Sequence, residues 1–189
     1  MKVYLIDHTF DPENVIGLAS AICYDAKTDR DSNVRRAAHC KNKGHLSTLR
    51  FSYASVSIEG ISRVCSHQLV RIAHAGILQE SQRYVQLSNI EYVTPDSVSL
   101  LNPRLQERWM KYLADGSDLY NDCIKDGQKK EDARYILPQS CTTKVNLCLN
   151  FQGWRDVIKN RTSKTAQWEI REVFEEIEKL LHDIAPGIF

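Results

Sequence analysis

Apolar positions recur every three or four residues most clearly near the C-terminus. Ile170, Val173, Phe174, Ile177, Leu180, Leu181 and Ile184 share one side, and Glu175 stands four before Lys179 on the other. That spacing predicts an amphipathic helix. Just upstream, Val145, Leu147 and Leu149 alternate with Lys144, Asn146 and Cys148, which predicts a half-buried strand, followed by a helix carrying Trp154, Val157, Ile158 and Arg161. At the N-terminus residues 2–6 suit a short strand. Asp11-Pro12 then predicts a helix with an Asp cap and a stripe of Val15, Leu18, Ala19, Ile22 and Cys23.

The middle of the chain mixes both periods. After a polar stretch (25–33) and a short helix, Gly44-His45-Leu46-Ser47 punctuates the chain, and residues 51–59 alternate like a strand. From Ile61 the period lengthens: Ile61, Cys65, Leu69 and Ile72 predict a helix ending near Gly76. Residues 79–86 are polar and read as a structured loop or short strand. Asn102-Pro103 opens another helix, with Leu105, Trp109, Tyr112 and Leu113 on one face. Asp115-Gly116 and Asp126-Gly127 are expected to break it, and residues 131–137 to form a helix stopping at Pro138. No repeat or linker divides the chain, so a single α+β domain over residues 1–189 is expected.

Composition narrows the function. Lys plus Arg number 25 against 24 for Asp plus Glu, so no basic field awaits a nucleic acid polymer, and any anion must be caught by a local cluster. No apolar run approaches the about 18 residues of a membrane span, and the opening residues lack the pattern of a signal peptide, so a cytoplasmic protein is expected. Cys23, Cys40, Cys65, Cys123, Cys141 and Cys148 are accordingly read as reduced, mostly buried thiols. Gly-x-Gly-x-x-Gly, Walker-type and Gly-x-Ser-x-Gly motifs are absent. Cys40 with His45 and Cys65 with His67 are each half of a zinc site at best, and the latter two diverge on a helix, so no metal is expected.

The unusual segment is ISRVCSHQLVRIAHAGILQESQRY (61–84). It carries Arg63, Arg71 and Arg83 against the one acid Glu80, with Gln68, Gln79, Gln82 and Ser81 among them. Gln68 and Arg71, three apart, are expected on one helix face. Two readings of the pattern stand side by side: a receptor for an anion and an amide-bearing ring, or a solvated helix face with a polar loop.

The same segment resembles the signature of the flavin-dependent thymidylate synthases, Arg-His-Arg, seven residues, Ser, then Arg two on. Arg71 opens it, and Ser81 and Arg83 close it at the right spacing. Gly44-His45-x-Ser47 resembles the upstream motif of that family, and Ala133-Arg134-x-x-Leu137-Pro138 its middle arginine motif. Asn150, Arg161 and Ala166-Gln167-Trp168-Glu169-Ile170-Arg171 resemble its C-terminal block. The departures are Ile72-Ala73 for the His-Arg, Gly76 for a serine, Gln152 for an arginine, and Arg50-Phe51 for a Glu-His pair.

The resemblance implies a mainly antiparallel sheet flanked by helices and a homotetramer with shared active sites. The implied reaction is methylation of dUMP at C5 to dTMP, with methylenetetrahydrofolate as carbon donor, FAD as cofactor and NADPH as reductant. It further implies that Gln68, Gln79, Ser81, Arg83, Arg134 and Arg161 bind the nucleotide, with Arg161 and Ser81 at the chemistry. His45, Ser47, Arg71, His74 and Asn150 would contact the flavin. The departures leave three courses open: compensation by His74 and Arg50, weaker flavin binding, or a changed seat for the cofactor. Two alternatives accompany the main reading. One is a related pyrimidine-nucleotide methylase or hydroxymethylase, and the other a nucleotide-binding homologue without flavin or catalysis.

Overall fold

The computed structural model describes residues 1–189 and shows an α+β fold, a mainly antiparallel four-stranded sheet flanked by helices, with strand order β1-β2-β4-β3. The strands are β1 (Lys2–His8), β2 (Tyr53–Ser62), β3 (Gly76–Gln79) and β4 (Thr142–Asn150). By internal contacts the chain divides into two compact units. The first comprises Met1–Ile58, Val70–Leu78 and Asn146–Phe189, the second Glu59–Leu69 and Gln79–Val145.

The first unit holds α1 (Pro12–Ala21), α2 (Arg30–Asn42), α6 (Phe151–Arg161) and α7 (Trp168–Ile184). Its core includes Ile16, Leu49, Val56, Trp154, Phe174 and Ile177, all fully buried. Helix α6 is tied to β2 by Trp154, whose Nε1 donates to the Ala54 carbonyl at 3.0 Å, and by Phe151 N–H to the Ser52 carbonyl at 2.8 Å. Helix α7 buries Ile170, Val173, Phe174, Ile177 and Leu181 as its period predicts. On its outer face Lys179 pairs with Glu176 at 2.6 Å rather than with Glu175.

Helix α1 is turned away from the expected stripe. It buries Ile16, Gly17, Ser20 and Ala21, while Leu18 and Ile22 are exposed. The cause is Gly17. A Cβ there would lie 1.9 Å from the Asn33 carbonyl oxygen, so only glycine lets the α2 backbone come so near. Polar rungs fix the same contact. Arg30 grips Asp11 at 2.7 and 2.9 Å, Asn33 Nδ2 reaches Asn14 Oδ1 at 2.8 Å, and Arg36 Nη1 reaches the Gly17 carbonyl at 3.0 Å. Asp11 therefore does not cap α1 with its side chain. It sits in the left-handed region (φ 46°) and spends its carboxylate on Arg30.

The second unit holds α3 (Arg63–Leu69), α4 (Pro103–Lys125) and α5 (Lys130–Ala133). The helix expected from Ile61 to Gly76 is only α3. Strand β2 runs to Ser62, whose Oγ accepts from Cys65 N–H at 3.0 Å, and the N–H groups of Arg63 and Val64 go to the carbonyls of Cys141 and Gln139. Ile61 thus owes its burial to a strand, while Ile72 is buried in a turn. Helix α4 starts as predicted, Asn102 accepting from Leu105 N–H at 3.0 Å, but passes through Asp115-Gly116 unbroken. Gly116 packs on Pro138, and Lys111 bridges to Asp115 at 2.8 Å one turn away. The helix stops at Asp126, with Gly127 at φ 89°. Its buried residues are Leu113, Gly116 and Tyr120; Leu105, Trp109 and Tyr112 of the expected face are 36–62% exposed.

All six cysteines are free thiols, with Cys40, Cys65 and Cys141 buried and Cys23 exposed. No helix is long and apolar enough to cross a membrane.

Candidate functional site

The first unit contains a cavity of about 570 Å³ beside α6. Helical spacing builds one wall. Phe151, Trp154 and Ile158 face the core, so Gly153, Asp156 and Asn160 fall on the other side, with Val157 and Arg161 at the flank, and all five line the cavity. Asn150 caps the helix, its Oδ1 accepting from Gly153 N–H at 2.9 Å, and joins the lining with Gln152. Opposite charges are unequal: Arg50 and Arg161 stand against the single acid Asp156.

The other wall is the turn Ile72-Ala73-His74. Ile72 is 8% exposed, whereas Ala73 and His74 are open to solvent. His74 has φ 60°, a left-handed conformation rarely adopted by a residue with a Cβ, and strained residues of this kind cluster at ligand sites. Arg50, at the end of the 3-10 turn Leu46–Phe51, donates its Nε to Gln152 Oε1 at 2.9 Å. Two of the sequence departures, Arg50 and Gln152, are therefore partners in one hydrogen bond.

Of the residues expected to hold flavin, His74 and Asn150 line the cavity, and Arg161, expected at the pyrimidine, joins them. His45, Ser47 and Arg71 belong to the same unit, are exposed, and are not among its lining residues. Arg71 also lies two residues beyond the end of α3, so it does not share a helix face with Gln68. Arg50, expected only as a compensating neighbour, lines the cavity, as do Gln152, Asp156 and Asn160, which the expected site set omitted. The last two were legible in the spacing of α6.

A second constellation lies within the second unit. Ser81 and Arg83 sit in a turn in which Ser81 Oγ accepts from Arg83 N–H at 3.3 Å. Arg83 Nε bridges to Glu131 Oε2 at 3.0 Å, and Arg134 Nε donates to the Glu131 carbonyl at 3.1 Å. Glu131 of α5 thereby gathers both arginines. Arg83 also lines a hollow of about 500 Å³ with Tyr84, Lys129, Lys130 and Glu131, a cationic surface suited to a phosphate. Gln79 is engaged internally, its Nε2 donating to Ser66 Oγ at 2.9 Å and Thr143 Oγ1 at 3.2 Å. Gln82, buried, donates to Cys141 Sγ at 3.4 Å, and burial pushes the Cys141 thiol up from its ordinary range.

The donor set of the first cavity fits a flavin dinucleotide. Its volume falls in the range of cofactor clefts, Leu149, Val157 and Ile72 offer apolar surface to a ring, and two guanidiniums oppose one carboxylate where phosphates need charge. No group of three or more His, Cys, Asp or Glu is arranged to hold a metal ion.

Comparison with known proteins agrees with this chemistry. Residues 4–187 match the family model described as thymidylate synthase complementing protein. The chain is similar to the flavin-dependent thymidylate synthase of Pyrococcus furiosus, at 37% identity over 204 residues, covering 100% of this chain and 83% of that one. It is also similar to the proteins of the same name from Geobacter sulfurreducens (36% over 201 residues, 100% and 85% covered) and Clostridium tetani (30% over 212 residues, 100% and 85% covered).

Proposed function

Because the chain belongs to the flavin-dependent thymidylate synthase family, we propose that it converts dUMP to dTMP in the cytoplasm, using methylenetetrahydrofolate as carbon donor, FAD as cofactor and NADPH as reductant. In the overall change a methylene carbon joins C5 of the uracil ring and arrives as a methyl group. NADPH supplies a hydride and leaves as NADP⁺, one proton is taken up from solvent, and the folate leaves as tetrahydrofolate. When bound, flavin would supply the redox chemistry that links the reductant to the pyrimidine. The protein's part is positioning and charge.

The observation that carries this reading is the 570 Å³ cavity with His74, Asn150 and Arg161 in its lining. His74 and Asn150 orient the cofactor there, and His45, Ser47 and Arg71 of the same unit complete its contacts in the assembled protein. Arg161 polarises a pyrimidine carbonyl, stabilising charge as it develops on oxygen. In the second unit Ser81 and the two arginines that Glu131 gathers, Arg83 and Arg134, hold the nucleotide phosphate, with Gln68 and Gln79 on the nucleotide. No cysteine is required as nucleophile. The assembly is a homotetramer with shared active sites, which accords with the exposure of Phe10, Ile22 and Tyr24, each more than 75% open in the single chain.

The test is spectroscopic and then chemical. The purified protein should show the visible absorbance of bound oxidised flavin, and should form dTMP from dUMP in preference to methylating UMP. A colourless protein that cannot be loaded with FAD and yet binds dUMP would overturn the catalytic reading in favour of a nucleotide-binding one. A hydroxymethyl product, or preference for UMP, would move the activity to a related methylase or hydroxymethylase.

A further inference from the structure

Resting on the reading that the first unit's cavity takes FAD, we infer that Arg50, oriented by Gln152, is the group that binds the cofactor's phosphates. The bond from Arg50 Nε to Gln152 Oε1 is the one polar contact the Arg50 side chain makes within the chain, and both of its terminal nitrogens remain for a ligand. The partner's chemistry matters most. Arg30, Arg83 and Arg171 are each paired with a carboxylate, which offsets their charge. Arg50 is held by a neutral amide, so it is positioned without being neutralised. Asp156, the acid of the cavity, forms no ion pair with it.

The surroundings add to that charge. Gln152 and Gly153, in the first turn of α6, share the lining with Arg50, and the N-terminus of a helix carries partial positive charge. A guanidinium fixed at its Nε and free at both terminal nitrogens presents the fork that matches two phosphate oxygens. Gln152 is then a positioning residue and Arg50 the ligand-binding one. Arg50 stands on the 3-10 turn, and its orienting amide on the helix.

The experiment titrates apo-protein with FAD and with riboflavin, the same ring without phosphates, by flavin fluorescence for the parent, Arg50→Met, Gln152→Leu and the double variant. FAD should weaken by about ten- to a hundredfold in Arg50→Met, with a shallower salt dependence, while riboflavin changes by less than about threefold. Gln152→Leu should weaken FAD by several-fold with Arg50 present and by nothing further in the Arg50→Met background, an interaction that loss of a merely structural contact would not produce. Unchanged FAD affinity in Arg50→Met, or equal losses for FAD and riboflavin, would overturn the assignment. A parent protein that binds neither flavin would instead overturn the cofactor reading itself. Circular dichroism and melting of each variant separate these results from unfolding, and Arg50→Lys, which keeps charge but not the fork, should fall between parent and Arg50→Met.

Discussion

Restoring the family's His-Arg at positions 72 and 73 should weaken this protein rather than improve it. Ile72 is 8% exposed, so Ile72→His removes nearly a whole buried aliphatic side chain, worth about 1.5–3 kcal/mol of burial. Imidazole brings back part of that apolar area but adds two ring nitrogens, and a buried polar group without a partner costs about 1–3 kcal/mol. Ala73 is exposed, so Ala73→Arg adds little strain. The net loss is about 2–4 kcal/mol, which for a chain of this length lowers Tm by about 4–16 °C. Differential scanning fluorimetry of Ile72→His/Ala73→Arg measures the melt, and a flavin titration on the same sample measures affinity. We expect a lowered melt with weaker FAD, and flavin loss in His74→Ala at an unchanged melt. Tighter FAD with an unchanged melt would refute this reasoning, because it would mean that the turn is an eroded version of the usual site and not a rebuilt one.

Four further outcomes are expected. Arg134→Ala should reduce dUMP affinity by about ten- to a hundredfold, the loss of a charge-assisted contact, with little change in melting, and equal calorimetric affinities would sink the phosphate assignment. Gly17→Ala should destabilise the protein by at least about 3 kcal/mol, since its methyl meets backbone rather than a movable side chain; a melt within a degree of the parent's would refute the close approach. Replacing all six cysteines with volume-matched residues should leave turnover within about tenfold, whereas one thiol whose change to serine abolishes turnover in a folded protein would contradict a thiol-independent route. Burial pushes the Cys141 thiol up, so it stays protonated through neutral pH, and the stability gained by keeping it neutral fades only as pH rises past the ordinary thiol range. With a disulfide reagent near neutral pH, exposed Cys23 should react at once and Cys141 only on unfolding; fast modification of Cys141 in the folded protein would be inconsistent with its burial.

The elements most legible in the sequence were those whose packing is one-sided. β4 and α7 each bury one face, so a simple period of two or of three to four residues identified them. Where backbone meets backbone, period misleads: α1 turned its stripe outward because Gly17, not a large apolar residue, makes the closest contact. The helix from Ile61 was overextended because a strand end and a turn supplied apolar residues at helical spacing by coincidence. Asp115-Gly116 read as a breaker because the sequence does not reveal Pro138 lying against Gly116. In the cavity, His74, Asn150 and Arg161 are identifiable through family resemblance and Arg50 as a compensating neighbour, but Gln152 appears only as a mismatch. The meaning of Arg50 and Gln152 as a pair depends on a contact between residues 102 apart in the chain.

The three polar rungs between α1 and α2 join Asp11 to Arg30, Asn14 to Asn33 and Gly17 to Arg36, each pair 19 residues apart. A constant offset, advancing by three residues per rung, means that the two helices run side by side in the same direction, in register like the teeth of a rack. Such a pair responds asymmetrically to changes of length. An insertion in the connection between the helices alters the offset for every rung at once and leaves each partner opposite its mate. An insertion inside either helix rotates every later tooth by about 100° and strips the rungs beyond it. Length variation in descendants of this sequence should therefore accumulate between Ala21 and Asp29 and be purged from the helices on either side.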